Sequence, residues 1–181
     1  MDKNSKIVVV GLGYVGLPLA VALARTYPVI GFDINAERVA ELERGEDRTR
    51  EVEPDRLKAS TLVYSADTAD IRAADIYIVT VPTPVGANNQ PDLGAVRGAS
   101  KMVGEVMSKG AIIVYESTVY PGVTEDVCGP ILAQASGLKY GDDFFLGYSP
   151  EMRAWLIRLT PAQIRPQRSK CTGAASPLTY P

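Results

Sequence analysis

The residues best placed to do chemistry come early in the chain. Gly11, Gly13 and Gly16 are spaced G-L-G-Y-V-G, directly after the apolar run KIVVV and directly before an apolar stretch of helical character. In that context Gly11 permits a sharp turn, Gly13 lets the main chain approach a pyrophosphate, and Gly16 lets a helix lie close against a strand. The helix opening there offers N–H groups and a partial positive charge to phosphates. An acidic partner follows about 20 residues on, where the second apolar run ends in Asp33. A carboxylate at that place accepts from the ribose hydroxyls of an adenosine and repels a 2′-phosphate, which favours NAD over NADP. Ile34 and Asn35 come next, with no adjacent arginine for a phosphate. Arg38 lies further on, in a helical stretch, where taken alone it reads equally well as a solvated charge. FAD proteins share the glycine pattern, but no other feature of the chain points to a flavin.

Thr83 and Thr118 follow the fourth and fifth apolar runs, at the carboxyl-end positions where open α/β sheets bind ligands. The competing reading is turn chemistry: Thr83 stands between two prolines, and Ser117 with Thr118 can cap a following helix. The chain has no histidine, so proton transfer or metal ligation would fall to carboxylates, Lys, Tyr, Cys or water. Zinc hydrolases and Ser-His triads recede, and no metal site is expected. Cys128 and Cys171 lie far apart and in no CxxC pattern, which speaks against a disulfide framework and fits a reducing cytoplasm.

Short β-branched runs alternate with longer amphipathic segments, the pattern of repeated βα units. The expected fold is therefore α/β and Rossmann-like, with a mostly parallel sheet and helices on both faces. Strands are expected over 6–10, 28–32, 61–65, 75–81, 111–117 and 144–149, each short and apolar as strands buried on both faces are. Helices are expected over 15–25, 36–44, 92–108 and 123–136, the last two stopped by Gly110 and Gly137. Pro82, Pro84, Pro91 and the 86–89 tract mark a loop after the fourth strand. With 181 residues, 46% of them hydrophobic, the chain can bury one real core. A net charge of -2 supplies no basic face for nucleic acid or an anionic membrane. No apolar run reaches the roughly 20 residues of a spanning helix, and glycines and a proline break the apolar N-terminus, so it reads as strand, turn and helix. A small molecule is the expected partner.

Four segments in order, GLGYVGLPLA from Gly11, TVPTP from Thr80 with PDL from Pro91, ESTVYPG from Glu116 and GYSPE from Gly147, resemble the UDP-glucose/GDP-mannose dehydrogenase family. The resemblance is closest to its UDP-N-acetylhexosamine branch, the UDP-N-acetylglucosamine 6-dehydrogenases of the Vi- and O-antigen type, and covers residues 6–151. It implies oxidation of a sugar C6 alcohol to a carboxylate in two hydride transfers, with two NAD per turnover, in the synthesis of polysaccharide precursors. It also implies that Tyr14 and Val15 present N–H groups to the pyrophosphate and that Asp33 and Arg38 hold the adenosine ribose. By the same resemblance Thr83 and Thr118 contact the cofactor, Thr118 also helps position a water, and Glu151 activates water for hydrolysis of a thioester near the nicotinamide.

Past Glu151 the pattern breaks. Residues 152–181 hold five Arg or Lys and four prolines but no Asp or Glu. The expected organisation is an NAD-binding domain over 1–151 and an atypical, disordered tail over 152–181, as a frameshift or truncation would leave. A different natural terminus and an added segment are the alternatives. The Ser-Cys-x-Pro-Lys-Asp-like nucleophile motif, the dimerising central helix and the second domain that the resemblance implies do not occur in these 181 residues, and Cys171 matches no family motif. The chain alone is accordingly expected to bind NAD without oxidising a UDP-sugar. A non-catalytic dinucleotide-binding module and a different small Rossmann dehydrogenase are the competing readings.

Overall fold

The computed structural model describes residues 4–85, 91–117, 119–120 and 122–149. Thr118, Glu151, the 86–89 tract and the 152–181 tail, all singled out above, lie outside the described residues.

Six strands form one parallel sheet: β1 (Ile7–Val10), β2 (Val29–Phe32), β3 (Val63–Ser65), β4 (Ile76–Val79), β5 (Ile112–Tyr115) and β6 (Phe145–Tyr148), in the order β3-β2-β1-β4-β5-β6. Among the described residues five α-helices join them: α1 (Gly16–Leu23), α2 (Ala36–Glu43), α3 (Pro54–Lys58), α4 (Gly94–Val106) and α5 (Gly129–Ser136). Each expected strand is present and shorter than its apolar run. The run over 75–81 gives only Ile76–Val79, because Thr80 and Val81 already belong to the loop that faces the ligand side.

The side-chain period of β1 explains the layering. Ile7 and Val9 join a buried cluster with Leu17, Ala20 and Val21 of α1 and Leu57 of α3. Val8 and Val10 point the other way, into a cluster with Val96 and Val103 of α4 and Leu132 of α5. A central strand apolar at every position requires helices on both faces, and it has them. α2 keeps only Arg38, Val39 and Leu42 buried and is capped by Asn35, whose side chain accepts from the N–H groups of Glu37 and Arg38.

Two elements differ from expectation. α3, opened by Pro54, was not anticipated, since five residues carry no readable helical period. The helix expected over 123–136 is wound in two parts, a π-helical Val123–Cys128 followed by α5. Pro130 supplies the reason: it has no N–H to donate, and its ring excludes the carbonyl four residues back, so a regular α ladder cannot pass through this point. Gly129 instead bonds to the Thr124 carbonyl, five residues back. Gly137 ends α5 in the left-handed conformation, as expected.

Candidate functional site

The hydrogen-bond ladder runs one residue past the strands, and that extra row is the floor of the site. The N–H of Gly11 bonds to Phe32 O at 2.8 Å, that of Asp33 to Ser65 O at 3.1 Å, that of Thr80 to Val10 O at 2.9 Å and that of Glu116 to Val79 O at 2.9 Å. Gly11, Asp33, Thr80 and Glu116 thus stand side by side at the carboxyl edge of the sheet. The strand order reverses between β1 and β4, the place where open α/β sheets bind their ligands. A cavity of about 510 Å³ lies over the row, walled by Gly13, Tyr14, Val15, residues 81–84 and Ser117.

Each glycine of the loop has a distinct steric reason. Gly11 is left-handed (φ 97), and a Cβ there would lie 3.2 Å from Thr80 O. A Cβ on Gly16 would sit inside the van der Waals shells of Gly11 O and Thr80 Oγ1, so α1 can approach β1 this closely only through glycine. A Cβ on Gly13 would meet nothing within 4 Å, although Gly13 lines the cavity. The packing of the fold does not itself demand glycine there. Within the first turn of α1, Leu17 and Leu19 already donate their N–H groups to Gly13 O and Val15 O, and Pro18 has none.

Leu12, between the glycines, is fixed at three points. Its N–H donates to Asp33 Oδ2 at 2.8 Å and its carbonyl accepts from Arg38 Nε at 3.0 Å. Its fully buried side chain packs against Gly31, where a Cβ would lie 2.9 Å from Leu12 Cδ2. The other oxygen of Asp33 accepts from Asn35 N–H at 2.9 Å. Each carboxylate oxygen so fixed retains further acceptor capacity for a ribose hydroxyl.

Arg38 is not a solvated charge: it is 5% exposed and does not line the cavity. Besides Leu12 O it binds Asp47 Oδ1 through Nη2 at 2.6 Å, and the Asp47 side chain is only 2% exposed. Burial opposes the ionisation of Asp47, but hydrogen bonds from Thr49 and Arg38, with the Val52 N–H, outweigh it and hold its pKa at about 2. Nearby on β3, burial pushes the Tyr64 phenol up to about 12, so it stays neutral.

Of the residues expected from sequence, Gly11, Gly13, Tyr14, Val15, Asp33 and Thr83 line one cavity, Gly16 packs beneath the loop, and Arg38 buttresses it from behind. Sequence reading missed four others. Thr80 donates its hydroxyl to Gly11 O at 2.7 Å, close also to Val10 O at 3.0 Å, and ties β4 to the glycine loop. Glu116 brings a carboxylate, 8% exposed, into the cavity. Ser117 donates to Val81 O at 2.6 Å and joins the β5 and β4 loops. Asp47 holds Arg38. The first three sit in the quoted TVPTP and ESTVYPG segments, while Asp47 offers only the Asp-x-Thr spacing of a side-chain-capped turn. Cys128 is a buried thiol in the core. Among the described residues there is no group of three or more His, Cys, Asp or Glu able to hold a metal, and no helix is long and apolar enough to cross a membrane.

A parallel sheet in this order, with a glycine loop between β1 and α1 and a carboxylate past β2, defines a dinucleotide-binding Rossmann domain. The lining fits such a ligand: the main chain of residues 13–15 ahead of α1, an open cradle at Gly13, the carboxylate of Asp33, and no cation among the described lining residues. Residues 5–155 match the model of the UDP-glucose/GDP-mannose dehydrogenase family, NAD binding domain, and the chain belongs to that family. It is 52% identical over 150 residues to the UDP-N-acetyl-D-glucosamine 6-dehydrogenase of Pseudomonas aeruginosa, covering 82% of this chain and 36% of that protein. The Salmonella typhi enzyme of the same name is 48% identical, with 81% and 35% covered. Among solved structures, the UDP-D-ManNAc dehydrogenase of Pyrococcus horikoshii superposes with a TM-score of 0.74 at 34% identity, covering 88% of this chain and 38% of that one. The chain therefore spans about a third of the length of these relatives.

Proposed function

We propose that this chain is the NAD-binding part of a nucleotide-sugar 6-dehydrogenase, acting on the C6 alcohol of a UDP-hexose or UDP-N-acetylhexosamine and feeding polysaccharide synthesis. The observation that carries the proposal is the row of Gly11, Asp33, Thr80 and Glu116 under a single cavity, in a chain 52% identical to a UDP-N-acetyl-D-glucosamine 6-dehydrogenase. NAD held in this cavity would supply the hydride acceptor for the sugar carbon. The residues of this chain bind and orient: the amides of Tyr14 and Val15 take the pyrophosphate, Asp33 takes the adenosine ribose with Arg38 steadying the loop behind it, and Thr83 meets the cofactor from the β4 side. Thr118 positions a water and Glu151 activates it for the hydrolytic half of the second oxidation.

That second oxidation requires a thiol nucleophile. Cys128 does not serve, because it is fully buried and burial pushes its thiol pKa up. Cys171 matches no family motif, and the substrate-binding central region that the resemblance implies does not occur in these 181 residues, so the chain as it stands is proposed to bind NAD without oxidising a sugar. A reducing, cytoplasmic setting belongs to the same proposal and suits the free thiol of Cys128.

Calorimetric titration with NAD, alongside an absorbance assay for NADH formed from UDP-N-acetylglucosamine, tests both halves. The expected result is saturable NAD binding, weakened about tenfold or more in Asp33→Asn by loss of charge-assisted hydrogen bonds to the ribose, and no NADH. Absence of NAD binding overturns the cofactor role. NADH formation overturns the inactivity of the chain alone.

A further inference from the structure

The edge of the sheet opposite the Gly11 row carries a second cavity, of about 210 Å³, between the ends of α1 and α3. α1 runs from β1 back to the start of β2, and α3 leads into β3, so both helices finish at the amino edge of the parallel sheet. Thr61 fastens them there, its hydroxyl donating to Ala24 O at 2.7 Å. Buried Val21 and Ala24 give the cavity an apolar wall, exposed Arg25 and Arg56 give it two cations, and Ser60 adds a hydroxyl. No acidic side chain is among the described lining residues.

An arginine at a helix end ordinarily binds the last carbonyls or a neighbouring carboxylate. Here the carbonyls are already engaged. Ala20 O accepts from Ala24 N–H, Leu23 O from the N–H groups of Thr26 and Tyr27, Asp55 O from Ala59 N–H, and Leu57 O from Ser60 N–H. Among the described residues neither Arg25 nor Arg56 makes an ion pair or a side-chain hydrogen bond, whereas Arg38, Arg44 and Arg48 all pair with acids. Ser60 Oγ accepts from Leu62 N–H at 3.2 Å and keeps its own hydrogen to donate. Two like charges bordering one concavity repel each other, and an apolar wall concentrates their field where an anion would sit.

We propose that this cavity is an oxyanion site that takes a phosphoryl group, with Arg25 and Arg56 as its charged donors and Ser60 as a neutral one. The planar guanidinium fork matches the spacing of phosphate oxygens, and bonds of this kind are charge-assisted. The cavity is smaller than the roughly 300–1,000 Å³ of pockets that enclose a whole small molecule, so it takes a group: free phosphate, or the phosphoryl end of a larger molecule whose remainder stays in solvent. It shares no lining residue with the cavity over Gly11 and lies at the other end of the strands, so the two sites do not compete.

The test titrates the full chain with inorganic phosphate at constant ionic strength and follows the arginine Nε–H resonances by NMR. The variants are Arg25→Met and Arg56→Met, which keep an apolar stem, and Lys101→Met, which removes an equal charge from an exposed side chain of α4. The expected result is a saturable shift of the Arg25 and Arg56 signals with a dissociation constant of about 1 mM, weakened about tenfold in either arginine variant and unchanged in Lys101→Met. Both arginines are exposed, so the melting temperature of each variant should match wild type, and NAD affinity should not move. A second arm replaces phosphate with uridine monophosphate: equal affinity identifies free phosphate as sufficient, tighter binding identifies a larger phosphorylated molecule, and either supports the site. Shifts that do not saturate, binding that survives both arginine substitutions, or an equal loss in Lys101→Met overturns it.

Discussion

Replacing Gly16 with alanine puts a methyl group where the structure has no room, against Gly11 O and Thr80 Oγ1. Both neighbours are poor at yielding. Gly11 O belongs to main chain already bonded to Phe32 through its N–H, and Thr80 Oγ1 donates to that same Gly11 O at 2.7 Å. α1 would have to back away from β1, with Leu17, Leu19 and Ala20 drawn partly out of the core they share with Val9 and Ile78. Overpacking of this kind costs about 1–3 kcal/mol, and losing the Thr80 hydroxyl's acceptor adds about 1 kcal/mol. A total near 3 kcal/mol corresponds to roughly 6–12 °C in melting temperature for a domain of this size. Gly13→Ala is the control: its methyl meets nothing within 4 Å, so the melting temperature should stay within about 2 °C of wild type while NAD affinity falls, since the methyl occupies ligand space. Thermal melts with and without NAD separate the two cases. A Gly16→Ala melt equal to wild type, or a Gly13→Ala melt lowered as far as that of Gly16→Ala, would refute this division of labour.

Thr80→Val keeps the shape of the side chain and removes the hydroxyl that ties Gly11 O to β4. It should lower stability by about 1–2 kcal/mol in urea denaturation, with Thr80→Ser restoring most of it; equal stability of all three refutes the tie. Asp47 has its pKa lowered from 3.8 to about 2, so its ionised form stabilises the fold fully above about pH 4 and the contribution fades as the pH falls through about 2. The shift corresponds to about 2 kcal/mol. The stability gap between wild type and Asp47→Asn should therefore be widest near neutral pH and close progressively in acid, and a gap constant from pH 7 to pH 3 is the contrary result.

The glycine loop could be read from sequence because its pattern is local: strand, glycines and helix are contiguous, even though part of the crowding at Gly11 and Gly16 comes from the distant Thr80. The strands were legible for a similar reason, since runs such as IVVV and IYIV admit few alternatives once they alternate with amphipathic segments. Thr80 was not, because its hydrogen bond to Gly11 O exists only when β4 pairs with β1, a neighbour 69 positions away. Arg38 was ambiguous for a different reason. An arginine among AERVAELE looks like the solvent face of an amphipathic helix, and only the return of a loop bearing Asp47 turns that face inward. The π-helical start at Val123 had a visible cue in Pro130, but a proline near the start of a helix more often marks the first turn than a change of winding.

The strand order also bears on how the chain is made. β1 is synthesised first yet lies in the middle of the sheet, paired on one edge with β2 and on the other with β4. After Phe32 emerges, the β4 side of Ile7–Val10 waits for Ile76–Val79, some seconds at ordinary rates of translation. During that interval a strand apolar on both faces has an open hydrogen-bonding edge, the geometry that invites pairing with another nascent chain. Parallel sheets closed over such sequence distances also fold slowly. Translation speed between codons 32 and 79, and chaperone access over that stretch, should therefore set the soluble yield of this domain more strongly than equally sized changes elsewhere.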